Sequence, residues 1–103
     1  MNIDVTIGTI TSSTIEVKWK PVAVKRITGY IVSYKDSRKT NFIDSAAIDN
    51  SKTTFVLSRL EPQTEYTIKM VALGFGSRQS KESVHQRATT LQSKSLFQFN
   101  LYY

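Results

Sequence analysis

The sequence predicts an all-β domain, a sandwich of seven strands, and three observations carry that prediction. The segment Leu60-Glu-Pro-Gln-Thr-Glu-Tyr66 stands directly before the alternating run Thr67-Ile-Lys-Met-Val-Ala-Leu73. A leucine, a turn proline and a tyrosine opening a half-buried strand are the sequence form of a tyrosine corner. In that corner the phenol hydroxyl bonds back to the backbone a few residues upstream and locks a crossover between two sheets. The second observation is a series of short alternating runs separated by turn signals, the pattern of a sandwich. The third is that no segment carries a helical period of apolar residues.

Taken in order, strands are predicted over residues 3–10, 14–20, 27–36, 40–48, 53–57, 65–73 and 82–89. Ile15-Glu-Val-Lys-Trp19 alternates cleanly, and Pro21 follows it as a strand breaker. Gly29-Tyr-Ile-Val-Ser-Tyr34 alternates again, and Ala88-Thr-Thr90 closes the pattern. Side chains of period two assign the faces. Val5, Ile7, Ile15, Val17, Trp19, Tyr30, Val32, Tyr34, Phe55, Leu57, Leu60, Tyr66, Ile68, Met70, Ala72 and Ala88 are expected inward, with Glu16, Lys18 and Lys20 outward.

Trp19-x-Pro21, Tyr30-x-Val32-x-Tyr34, Leu60-x-Pro62-x-Thr64-x-Tyr66 and Ala88-Thr-Thr90, in this order and spacing, resemble a fibronectin type III domain over residues 3 to 90. The resemblance implies a seven-stranded immunoglobulin-like β-sandwich of the fibronectin type III type. Residues 1–90 form that domain, and residues 91–103 are a C-terminal tail or flexible linker. It further implies a non-catalytic protein-interaction or spacer module of a larger cell-surface receptor, adhesion or extracellular-matrix protein. The alternative is a same-fold module of an intracellular or enzyme-appended multidomain protein.

Composition bounds the rest. A chain of 103 residues is one domain, long enough to bury roughly 65 % of its unfolded surface. It has no cysteine, so neither a disulfide nor a thiolate metal site is available. No apolar run reaches the ~20 residues of a membrane helix, so no membrane insertion is expected. Met1-Asn-Ile-Asp-Val5 lacks the pattern of a signal peptide, so an extracellular location implies a longer parent protein. The net charge of +6 favours acidic partners, a heparin-like glycan or an acidic protein surface. Nucleic acid is not expected, because no recognition motif is present and the aromatics fall on core positions. The isolated domain is expected to be monomeric.

No cofactor, metal or catalytic group is expected. His85 is the single histidine and should face solvent beside Arg87; Glu61 and Glu65 flank an exposed corner rather than a cleft. The expected binding residues are Lys25 and Arg26, in the loop after strand 14–20, and Phe75, Arg78 and Lys81, in the loop after strand 65–73. In this family the second of those loops is a common recognition site, but the Arg-Gly-Asp tripeptide of some members is absent from Gly76-Ser-Arg-Gln-Ser80. The two loops are expected at one pole, joined by Lys20, with Glu82 as the one nearby acid. Ile31, Val71 and Leu73, with Lys35, Lys69 and Arg87, are expected on the outer face of the sheet built from strands 27–36, 65–73 and 82–89. In the tail, Phe97, Phe99, Leu101 and Tyr103 fall at strand spacing, as a segment that pairs with a sheet edge would.

Overall fold

The chain folds as two antiparallel sheets facing each other. The computed structural model describes residues 3–20, 27–74, 83 and 85–93. Its strands are β1 (Val5–Ile10), β2 (Ile15–Trp19), β3 (Ile27–Asp36), β4 (Ile43–Asp44), β5 (Ile48–Asp49), β6 (Thr54–Leu57), β7 (Glu65–Gly74) and β8 (Gln86–Thr89). One sheet has the order β1-β2-β6; the other runs β4-β3-β7-β8, with β5 also paired to β3. The predicted sandwich is the observed one.

Alternation placed the core. Ile15, Val17, Val32, Ile68 and Met70 are fully buried, and Tyr30 lies between the sheets with them. Ile7, Tyr34 and Phe55, expected inward, are half-buried and pack against that cluster. Ile3 and Ile48 join the core although alternation did not assign them to it. Glu16 was expected in solvent but is half-buried. Its carboxylate accepts the Thr9 amide proton at 3.1 Å across an irregularity in the β1–β2 register, where the absence of a side chain on Gly8 leaves it room.

The single strand expected over residues 40–48 is instead the two short strands β4 and β5. Three residues lie between Asp44 and Ile48, whereas two lie between their partners Ser33 and Tyr30, so one extra residue bulges out. Ser45 causes the break. Its amide donates to Val32 O at 2.8 Å, and its hydroxyl oxygen accepts the Val32 amide proton at 3.0 Å. A side chain thus takes the bond that a strand backbone would have made. At β5 the chains come so close that a Cβ on Gly29 would lie 2.5 Å from the Ile48 carbonyl oxygen.

The tyrosine corner is present as predicted. The Glu61 amide donates to Tyr66 Oη at 2.9 Å. The Thr64 hydroxyl donates to Pro62 O at 2.9 Å, and Gln63 holds a left-handed φ of 49°. Thr90 ties this turn to the chain leaving β8: its hydroxyl accepts the Thr64 amide proton at 3.0 Å and donates to Glu61 O at 2.6 Å.

Two stability predictions follow from this packing. Trp19 is 4 % exposed, its ring lies 5.3 Å from that of Tyr30, and its buried Nε1 has no hydrogen-bond partner. Trp19→Ala should cost about 3–5 kcal/mol by chemical denaturation. Trp19→Phe should cost far less, because no hydrogen bond is given up. Tyr66→Phe should cost about 1–3 kcal/mol, since it strands the Glu61 amide with no loss of volume; equal denaturation midpoints for wild type and Tyr66→Phe would remove the corner from the account.

Candidate interaction surfaces

The register of the larger sheet fixes where the two predicted binding loops depart. Ile27 pairs with Gly74 at the end of the β3–β7 ladder, so the segments 21–26 and 75–82 adjoin the same end of neighbouring strands. Lys25, Arg26, Phe75, Arg78 and Lys81 themselves lie outside the described residues. Lys20 is described and exposed, and here the expected charge pattern needs correction. Its Nζ stands 3.9 Å from Asp4 Oδ2. The Lys20 amide donates to Asp4 O at 3.4 Å, prolonging the β1–β2 ladder past Val5 and Trp19 and bringing an acid to this end. An exposed pair of this kind adds little stability.

The outer face of the five-stranded sheet is better defined. Lys35 is paired across from Thr67, and Thr67 across from Arg87; Ser33 faces Lys69, and Ile31 faces Val71. Period two therefore gathers Lys35, Lys69 and Arg87 on one face, as the sequence implied. Ile31, Val71 and Leu73 are half-buried there, not an open apolar patch.

The residue that organises this face escaped the sequence. Phe42, just before β4, lays its ring across β3 and β7. Lys69 Nζ sits 4.1 Å from the ring centroid and Lys35 Nζ 5.4 Å from it. The His85 ring meets the same phenyl edge-on, at 5.7 Å and 64°. His85 is exposed as expected, but its neighbour includes an aromatic ring as well as solvent. A cation over an aromatic face is worth about 0.5–1 kcal/mol at an exposed site. The signal available in the sequence was a lone aromatic in the polar segment Thr40-Asn41-Phe42, beside two lysines on the same sheet face.

Polar bonds fix the chain around Phe42. The Ser33 hydroxyl donates to Asp44 Oδ1 at 2.6 Å, and the Ser37 and Thr67 hydroxyls share a bond of 2.7 Å. Lys35 Nζ donates to Lys39 O at 2.8 Å. At the end of β3 the Arg38 guanidinium forks onto Asp36, at 3.1 Å to Oδ1 and 2.8 Å to Oδ2. These side-chain bonds, with the Arg38 amide, hold the Asp36 carboxyl down at about 2. Its stabilising charge is thus complete above the ordinary value of 3.8 and is lost as pH falls through about 2. Among the described residues no group of three or more His, Cys, Asp or Glu side chains is arranged to hold a metal ion. No helix there is long and apolar enough to cross a membrane.

Comparison with known proteins gives this geometry a setting. The family model described as "Fibronectin type III domain" matches residues 2–87. Human tenascin-R is 36 % identical over 67 residues, which are 65 % of this chain and 5 % of that protein. The fn3 domain of human contactin 1 superimposes with a TM-score of 0.80 at 21 % identity, covering 90 % of this chain and 80 % of that one. A segment of two fibronectin type III domains from chicken tenascin gives a TM-score of 0.75 at 24 % identity, over 84 % of this chain and 47 % of that one. At these identities the two solved structures speak for the fold alone.

The Phe42 cluster is open to test. Phe42→Leu should shift the Lys69 side-chain methylene protons downfield, since they lose the ring current above the phenyl face, and should cost about 1 kcal/mol at most. Unchanged Lys69 resonances in a carbon–proton correlation spectrum would show that the ring does not sit there in solution.

Proposed function

The chain belongs to the fibronectin type III domain family, and on that premise we propose that it is a non-catalytic interaction or spacer module of a larger cell-surface, adhesion or matrix protein. The likeness to modules of tenascin-R, tenascin and contactin 1 supports this setting. The matched stretch spans one twentieth of tenascin-R, in keeping with one module among many. The partner we propose is acidic, a sulfated glycan or an acidic protein surface, met by Lys25, Arg26, Arg78 and Lys81 with Phe75 as an aromatic anchor.

The pairing of Ile27 with Gly74 carries this proposal. Because Ile27 and Gly74 are paired, the two segments that carry these four cations leave the sheet from the same end of adjacent strands. The net charge of +6 supports the same partner class.

The test is elution across a salt gradient from heparin and, separately, from a plain sulfonate exchanger, for the wild type and a variant with Lys25, Arg26, Arg78 and Lys81 changed to Glu. Contacts to a polyanion release counterions and so depend steeply on salt. Heparin should hold the wild type to clearly higher salt than the exchanger does, and the variant should lose that excess. Release at the same salt from both columns would reduce the charge to a bulk surface property and overturn the polyanion partner.

A further inference from the structure

β6 ends the smaller sheet, and its outer edge has no strand beside it among the described residues. It pairs with β2 alone, whereas on the opposite side of the sandwich β1 and β8 approach each other. The Trp19 amide donates to Thr53 O at 3.0 Å, which marks Trp19 and Thr53 as a hydrogen-bonded pair. Such pairs alternate along an antiparallel ladder. Phe55 and Leu57 therefore spend their main-chain groups on β2. The amides and carbonyls of Thr54 and Val56 point away from it, toward the free edge.

Beside that edge lies a groove of about 460 Å³, with Thr54, Phe55 and Val56 on its β6 side and Ala46, Ala47 and Ile48 on its β5 side. Ile48 is buried, Phe55 is half-buried and Val56 is 52 % exposed. The two alanines carry only methyl groups and leave the groove open. A strand added here would sit about 4.8 Å from β6. Its residues opposite Thr54 and Val56 would exchange main-chain bonds with them and face water. Its residue opposite Phe55, and those two places away, would turn into the groove. The occupant is therefore apolar at alternate positions.

Both ends of the edge are basic. Lys52, two residues before β6, lines the groove, and Arg59 stands two residues after β6. Both are exposed, and neither forms an ion pair among the described residues. Asp49 also lines the groove, but its carboxylate accepts the Ser51 amide proton at 3.0 Å and the Ser51 hydroxyl proton. The edge thus suits a strand with carboxylates at both ends. A second copy does not meet that demand. Paired symmetrically about Phe55, it would bring its own Arg59 beside Lys52, like charge against like. A sulfated glycan has the charge but no main-chain ladder and no alternating apolar groups. Residues 94–103 lie outside the described residues, and the site is built without them.

We propose that the free edge of β6 is a strand-addition site for an extended segment of a partner protein, apolar at the positions that enter the groove and acidic at both ends. Main-chain bonds to Thr54 and Val56 set the register. The groove over Phe55 and Ile48 selects the apolar side chains, and Lys52 and Arg59 select the charge. With four residues in β6 the ladder is short, so one module binds weakly and the flanking charges decide the partner. This site is separate from the loop segments 21–26 and 75–82, to which neither Lys52 nor Arg59 belongs.

The test is a nitrogen–proton correlation titration of the full chain with a peptide of alternating valine and threonine that carries two glutamates at each end. At millimolar peptide the Thr54 and Val56 amide resonances should move, while that of Ile68, in the β7 core, stays fixed and reports an intact sandwich. The same peptide ended in lysines should bind about ten-fold more weakly. That order should invert for Lys52→Glu/Arg59→Glu. Methylating the threonine nitrogens of the peptide, which removes the donors that face β6, should abolish binding. Val56→Pro removes an outward amide without touching a bond to β2, and should weaken binding of the glutamate-ended peptide. Unmoved Thr54 and Val56 resonances, or equal binding of the glutamate-ended and lysine-ended peptides or of the methylated and unmethylated ones, would overturn the proposal. Slow exchange of the Thr54 and Val56 amides without peptide would overturn it too. A second copy is then the occupant if the protection grows with protein concentration, and the chain itself if it does not.

Discussion

The Tyr66 hydroxyl accepts the Glu61 amide proton, and that one bond fixes how the chain passes from the smaller sheet into the larger. Everything downstream inherits its geometry. Tyr66 is the second residue of β7, and β7 lies between β3 and β8. If the corner turned differently, β7 would enter in another register, and a slip of one residue would send Tyr66, Ile68, Met70 and Ala72 to the solvent face. The turn holds Gln63 in a left-handed conformation that costs of order 1 kcal/mol or more for a residue with a Cβ. The bonds from Thr64 to Thr90 and from Gln63 to Leu91 over-determine the turn and offset that strain.

Those same bonds make the sandwich asymmetric. Thr90 and Leu91 stitch the end of β8 to the corner and to the β1–β2 turn, so the side of the molecule that holds β1 and β8 is closed by the chain itself. Nothing equivalent closes the other side among the described residues. There the bulge at Ser45 splits β4 from β5 and leaves two short strands, too short to cover the gap over Phe55. Without a disulfide to pin the sheets, their separation rests on Trp19 and Tyr30 in the middle and on the corner at one end.

How much of this was legible in the sequence depended on whether the information was local. The strand pattern from Ile15 to Trp19 and from Tyr66 to Ala72 could be read because side chains alternate within one segment and the buried face has no exceptions. The corner could be read because its leucine, proline and tyrosine are close in sequence. The region from Thr40 to Ile48 could not, because Ser45 acts through its hydroxyl on Val32, thirteen residues away. Phe42 was missed for the same reason: its place is set by lysines on two other strands. The loop cations were named from sequence, and only the end of the β3–β7 ladder relates their two segments to each other.

A net charge of +6 is not yet a surface; register turns it into one. Lys18 and Lys20 stand 3.9 Å from Glu16 and Asp4, carboxylates on their own or the adjoining strand that offset part of their field. Lys35 and Lys69 rest their ammonium groups on an aromatic ring, which orients a cation without cancelling its charge. Of the two kinds, the second is better placed to act on a partner, since a pre-oriented cation loses less side-chain entropy on binding than a free one. The sheet face around Phe42 thus holds its charge in a fixed arrangement. The face is built on strands whose register fixes each group, whereas the segments 21–26 and 75–82 leave from the strand ends that meet at Ile27 and Gly74. A rigid face favours a partner of matching shape, and loops favour one whose charge is spread out.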